Sequence, residues 1–276
     1  MAGAFGSVLG IGGGLFIIPS LTLFLGIQLK TAIAASIVAV IATSLGGGNV
    51  YVRHHVADIR LGLLLALATT PGAVVGAKLA TVVSARILAA VFALILGVSA
   101  YRMIVSARSR PPSPREGAEA RSNDEVVRGG LRFRGEYVEP SSGEVVRYQV
   151  TRVPFGVGAS TLAGLVSGLL GVGGGIVQVP VMNLVMNVPI KVATTTSTYI
   201  IGITAMAGAF VYYNHRPSFV DPALAVPVTI GVFIGASIGS NVLGRISQRA
   251  LRNTFTIVLA VYTVQMVLRV FGIGGG

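Results

Sequence analysis

The stretch LLGVGGGIVQVP (Leu169–Pro180) lies within an apolar segment long enough to cross a bilayer, yet it places four glycines in the five residues Gly171–Gly175. Glycine disfavours a helix interior by about 1 kcal/mol relative to alanine. In hydrocarbon an unpaired backbone group costs several kcal/mol, so non-helical backbone survives only where protein or water surrounds it. The stretch thus marks a helix broken inside a membrane domain, and the rest of the chain is consistent with that setting. Of its 276 residues, 53% are hydrophobic and 11% charged, against roughly 25% charged in a soluble domain. Apolar runs at 31–52, 61–82, 86–106, 192–213, 222–243 and 250–271 are each of spanning length. The segments 2–26 and 155–187 are equally apolar but interrupted by glycine. The expected class is an all-α integral membrane protein. No basic region precedes a short apolar run and cleavage site, so no signal peptide is expected. The absence of cysteine removes disulfides, thiolate metal sites and cysteine catalysis.

A shift of 161 positions brings the chain onto itself. LGIGGGLFIIP (Leu9–Pro19) falls on LGVGGGIVQVP (Leu170–Pro180), Lys30 on Lys191, Ser36 on Ser197, Thr43 on Thr204 and Tyr51 on Tyr212. The expected organisation is two membrane repeats, 1–106 and 153–276, each with one glycine-broken helix and three spanning helices, as in secondary transporters and some channels. Met1 aligns with Leu162, so the first broken segment is expected to have a short leading arm.

The basic residues orient the repeats. If each broken segment turns back to the side it entered, Arg53, Arg60, Lys191, Arg245, Arg249, Arg252 and the central insert share one side. Lys30, Arg86, Arg216 and Arg269 then take the other, and the repeats are inverted. This fits the positive-inside bias better than the parallel alternative and makes the insert cytoplasmic. The net charge of +12 is spread over membrane-flanking loops, which is topology information and not a nucleic-acid footprint. Within the insert (107–152), SARSRPPSPREGAEARSNDE (Ser106–Glu125) reads as a linker, and the alternation around PSSG (Pro140–Gly143) as a β-hairpin. A lone hairpin is marginal, so it should pack on the membrane domain or on a second subunit of a homodimer.

Seven of the nine acidic residues lie between Glu116 and Glu144, and no spanning segment has a carboxylate in its interior. A site built in the membrane must then use backbone and neutral side chains. Gly12, Gly13 and Gly14, with the helix starting at Leu15, and Gly173, Gly174 and Gly175, with the helix starting at Ile176, offer unpaired amides at two positive helix ends. Two such ends near the midplane would hold an anion. Ser36, Thr196 and Ser197 add hydroxyls that either donate to a ligand or bond back to a carbonyl one turn earlier. Gln178 and Asn183 carry amides needing a ligand or a neighbour. Lys30 and Lys191 are interfacial anchors or attract anions to the mouth, and Lys78 could act likewise. His54, His55 and His215 fit interfacial positions. Close helix packing is the competing explanation for the glycines, and it is the expected one for GAVVGA (Gly72–Ala77) and GVFIGASIG (Gly231–Gly239). No metal or other cofactor is expected.

The run GLLGVGGGIVQVPVMNLVMNVPIKVATTTS (Gly168–Ser197), followed by YYNHR (Tyr212–Arg216), resembles the second-half signature of the TauE/SafE sulfite exporter family, also called the four-toluene-sulfonate uptake permease family. GIGGG (Gly10–Gly14) with Pro19, Lys30, Ala32 and Ser36 resembles its first half. The resemblance covers nearly the whole membrane part, and the short first arm and long insert depart from it. It implies a lipid-embedded inner-membrane transporter of a small sulfur-containing anion, an oxyanion or organosulfonate such as sulfite, thiosulfate or sulfoacetate. Export is the expected direction, with an anion channel or a cation-coupled importer as alternatives. An intramembrane enzyme would need a Ser/His pair, a catalytic carboxylate or a cysteine within a span, and the spans hold none of these.

Overall fold

The computed structural model describes residues 2–53, 57–108, 134–138, 145–242, 261–264 and 268. Helices dominate: α1 (Ala2–Leu9), α2 (Gly14–Phe24), α3 (Leu29–Arg53), α4 (Ile59–Val82) and α5 (Ala85–Arg108) precede two strands. After β1 (Arg134–Val138) and β2 (Val145–Gln149) come α6 (Val153–Leu170), α7 (Gly175–Pro180, running on as a π turn, Val181–Val185), α8 (Ile190–Asn214) and α9 (Pro222–Val242). Four of these helices are long and apolar enough to span a bilayer, within Leu29–Gly48, Ile59–Val82, Val153–Leu170 and Pro222–Gly239, with shorter apolar helices between them. The expected spans at 31–52, 61–82 and 222–243 fall on α3, α4 and α9, and those at 86–106 and 192–213 are helical as α5 and α8, while α6, inside the segment 155–187 read as glycine-broken, is itself of spanning length. The run 250–271 is described only at 261–264 and 268, where it is helical. His54, His55, Arg245, Arg249, Arg252, Arg269 and most of the 107–152 insert lie outside the described residues.

Both broken segments reverse direction. The Thr151 amide donates to the Met186 carbonyl at 3.0 Å, so the chain leaves α7 beside the point where it entered α6. The reversal needs left-handed backbone: Gly171, Gly173 and Gly174 have φ of 64°, 83° and 72°. Gly10, Gly12 and Gly13, offset by 161, have 66°, 85° and 75°. Only glycine adopts such angles without steric cost. The returning arm ends alike in both halves, at Gly26 (φ 64°) and Asn187 (φ 61°), asparagine being the usual second choice there.

Glycine also sets helix directions. A side chain on Gly208 would strike Ile37, and one on Gly202 would strike Ser44, so α3 and α8 cross antiparallel. Gly72 abuts Thr161 and Gly76 abuts Leu165, while Gly164 abuts Thr69 and Gly168 abuts Ala73, so α4 and α6 run parallel with their backbones in contact. Gly3 meets Val232 and Gly239 meets Ala4, which places α1 against α9. GAVVGA is therefore a small-residue packing face. In GVFIGASIG, Gly239 has that role, whereas a Cβ on Gly231 would meet open space. Each half's third helix (α4 or α9) packs on the other half's first, and the main core, including Ile18, Ile33, Ile37, Leu170, Val172 and Ile201, draws on both.

The hairpin forms with Glu136 opposite Arg147, an exposed 3.6 Å ion pair worth little by itself. It docks through Tyr148, whose hydroxyl donates to Asp58 Oδ2 at 3.0 Å.

Candidate functional site

The two breaks meet at the centre of the helical domain. A Cβ on Gly12 would touch Val40, Ile201 and the Val172 carbonyl, and one on Gly173 would touch Ile201, Val40 and the Ile11 carbonyl. Val40 and Ile201 lie near the midpoints of the 25-residue helices α3 and α8, which sets the junction at mid-depth. Gly14 packs on the Gly171 carbonyl and Gly175 on the Gly10 carbonyl. Close packing, offered in the sequence as the competing role for these glycines, is thus real at every position of both breaks.

Packing leaves the amides available. Gly13 caps α2 in left-handed geometry without a side-chain bond, and Gly174 does the same for α7. The Gly13 carbonyl accepts from Phe16 and Ile17, and the Gly174 carbonyl from Val177 and Gln178. The amides of Gly14, Leu15, Gly175 and Ile176 precede the first intrahelical bonds and hold the positive ends of two helix dipoles. Leu15 is wholly buried, and Gly12, Gly13, Gly14, Gly173, Gly174 and Gly175 are buried too, so in this conformation the junction is closed.

The hydroxyls divide into two groups. Ser36 Oγ donates to the Gly171 carbonyl and Ser197 Oγ to the Gly10 carbonyl, both at 2.9 Å. Each serine thus braces the opposite half's break and satisfies a carbonyl that the turn would otherwise orphan. In this conformation neither donates to a ligand. Thr43 Oγ1 donates to the Gly12 carbonyl at 3.3 Å, and Thr204 shares a 2.7 Å bond with Thr69. Thr196 is not at the junction: its Oγ1 accepts a 3.0 Å bond from the Asp58 amide.

The two amide side chains are bound within the second arm. Gln178 Nε2 donates to Ser160 Oγ at 3.2 Å, pinning α7 to α6. Asn183 Nδ2 donates to the Val188 carbonyl at 2.8 Å, closing the turn into α8. Lys30 is tied as well, its Nζ donating to the Thr81 carbonyl at the α4 C-terminus at 2.7 Å and lying 5.6 Å from the Phe219 ring centroid. That is a favourable place for a cation, and it makes Lys30 a brace between helices. His215 stacks on Phe219 at 4.8 Å.

Asp58 was not among the sequence candidates. Its Oδ1 accepts from the Leu61 amide at 3.0 Å as the N-cap of α4, its Oδ2 accepts from Tyr148, and its own amide binds Thr196. Asp221, the other acidic residue outside the insert, caps α9 through the Ala223 amide at 3.0 Å. The signal was present: an aspartate just ahead of an apolar run marks a helix start.

Comparison with known proteins finds membrane transporters. The sulfite exporter TauE/SafE family description matches residues 1–266. The probable membrane transporter protein YunE of Bacillus subtilis is 26% identical over 97% of this chain and 94% of its own length. YdhB of the same organism, also a probable membrane transporter protein, is 23% identical over 92% of this chain and 91% of its own. The probable membrane transporter protein MJ0441 of Methanocaldococcus jannaschii is 28% identical over 39% of this chain and 42% of its own. No solved structure matches the chain. Two glycine-broken helices in a multi-pass helical domain, matched along almost the full sequence, lead to one conclusion: the chain belongs to the TauE/SafE sulfite exporter family and is a membrane transporter, not an enzyme.

Proposed function

We propose that the protein is a secondary transporter, in the exporting direction, of a small sulfur-containing oxyanion or organosulfonate such as sulfite, thiosulfate or sulfoacetate. The anion is held at the junction of the two breaks by the first amides of α2 and α7. The observation that carries this reading is the reciprocal pair Ser36–Gly171 and Ser197–Gly10, 2.9 Å each. It sets two opposed helix N-termini side by side at mid-depth, where a neutral site of backbone donors attracts negative charge. The closed, mutually braced junction favours a carrier over an open pore.

The two halves, 1–106 and 153–276, are inverted repeats joined by a cytoplasmic insert at 107–152. The antiparallel crossing of the equivalent helices α3 and α8 and the reversal between Thr151 and Met186 support this. Inversion lets the halves exchange conformations, so that the junction opens to either side in turn. The protein resides in the inner membrane, and a second copy can dock there as a homodimer.

With no carboxylate inside a span, the chain lacks the usual proton relay. An anion leaving a negative cell interior gains about 2.3 kcal/mol per charge at 100 mV, or about fiftyfold accumulation outside. Export is therefore electrogenic and not proton-coupled. In proteoliposomes, uptake of labelled sulfite, thiosulfate, sulfate and organosulfonates should follow an imposed potassium-diffusion potential and persist when the pH gradient is collapsed. Flux that stops with the pH gradient at constant potential overturns the coupling, and no flux of any of these anions overturns the substrate class. Cysteines introduced singly at Ser113 and Ser218 should label from opposite sides of intact cells, whereas labelling from one side alone would establish parallel repeats.

A further inference from the structure

The two breaks share a backbone but not their polar surroundings. Ser167 lies on α6 just before the second break, and its carbonyl accepts the Gly171 amide at 2.8 Å. Its side chain is 0% exposed, and its Oγ has no hydrogen-bond partner among the described residues. Its Cβ stands 3.1 Å from where a Cβ on Gly174 would be, so the side chain lies against the turn that opens the apolar helix Gly175–Val185. Offset by 161, the first half has Gly6, where any side chain would collide with the Gly13 backbone. Nearby buried hydroxyls are all engaged: Ser36 and Ser197 with the opposite breaks, Ser160 with Gln178, and Thr69 with Thr204. Thr229 Oγ1, also unpartnered, sits on a partly exposed stretch of α9.

A buried hydroxyl without a partner bears its full desolvation cost, and such a group in a native fold calls for an explanation. Here it is next to a helix end that also lacks partners, at the amides of Gly175 and Ile176. We propose that Ser167 is a ligand-binding residue. Its Oγ–H donates to one oxygen of a small sulfur oxyanion, and the Gly175 and Ile176 amides donate to the others. This rests on the anion-binding reading above and deepens it: within the junction the ligand lies toward the second break, where Ser167 adds a side-chain donor, and the first amides of α2 face it from the other side.

The test is sulfite and thiosulfate binding to purified full-length protein by titration calorimetry, paired with melting of the ligand-free protein, for wild type and Ser167→Ala. Loss of a hydrogen bond to a charged ligand should weaken Kd about tenfold or more. Melting of the ligand-free variant should be unchanged or raised, because an orphaned group is removed. Gly158→Ala, which meets open space, should bind as wild type. Wild-type binding with an unchanged Kd in Ser167→Ala overturns the role of Ser167 alone. Lower melting of the ligand-free variant overturns it too, because the hydroxyl would then be bracing the fold. Failure of the wild type to bind either anion overturns the anion site as well.

Discussion

The first and second broken segments show how one backbone solution carries two sets of side chains. Both turn through three left-handed glycines at matched positions, and both are braced by a serine from the other half. Around that shared frame the polar side chains differ, with Ile17 where the second has Gln178, Gly6 where the second has Ser167 and Thr22 where the second has Asn183. The first returning arm is α-helical throughout, whereas the second passes into a π turn after Pro180. Both arms carry a proline at the matched position, Pro19 and Pro180, so the π turn is a difference beyond proline, and π turns gather at functional positions. The frame is therefore set by steric and hydrogen-bond demands common to both halves. The polar differences are free to serve ligand recognition.

The largest expected effect strikes that frame. A Cβ at Gly175 would overlap the Gly10 carbonyl and one at Gly14 would press on the Gly171 carbonyl. Gly175→Ala and Gly14→Ala should each abolish monodisperse, folded protein in size-exclusion chromatography, because two buried backbones must separate. If one is tolerated and the other is not, the two breaks are mechanically unequal. For the same reason Gly13→Val or Gly174→Val cannot report on binding alone, since both positions are left-handed and lie against backbone.

Next come the braces. Ser36→Ala and Ser197→Ala each orphan a buried carbonyl and should destabilise the protein by about 1–3 kcal/mol, read as lower melting temperatures. Equal losses would mean the frame is symmetric in energy as in geometry. A larger loss at one brace would identify the half that opens more readily.

The smallest effect concerns the insert, which lies between the two halves. Asp58→Ala removes an N-cap, at about 1 kcal/mol, and the acceptor of Tyr148. Tyr148→Phe removes that one bond, at about 0.5–1.5 kcal/mol. A double-mutant cycle on melting should show coupling between them. Additive losses would mean that the hairpin rests on the membrane domain without being held there.

Much of this was legible in the sequence. Hydropathy marked α3, α4 and α9 almost to their ends and the helices α5 and α8 besides, because a segment in lipid must be apolar along its length and helical to pair its backbone, but it left α6 inside a broken segment. The 161-residue offset picked out both glycine turns, since a left-handed reversal in a buried helix excludes other residues. The strands Arg134–Val138 and Val145–Gln149 on either side of PSSG followed from alternation.

Partners across the fold were not legible. Local pattern showed that Ser36 and Ser197 sit one helix away from the breaks. That each serves the other half's carbonyl, across 135 and 187 residues of chain, depends on the depth and angle at which α3 and α8 cross. Thr196, next to Ser197, faces Asp58 because successive helical residues point about 100° apart. Which of two adjacent hydroxyls meets the break is fixed by the rotation of α8 against α4 and α1. The sequence by itself determined a helical membrane domain with two glycine reversals, because those features follow from solvent and local sterics. Only the tertiary structure decided which polar groups the reversals consume and that Ser167 is left over, because hydrogen-bond partners are assigned by packing between helices distant in the chain.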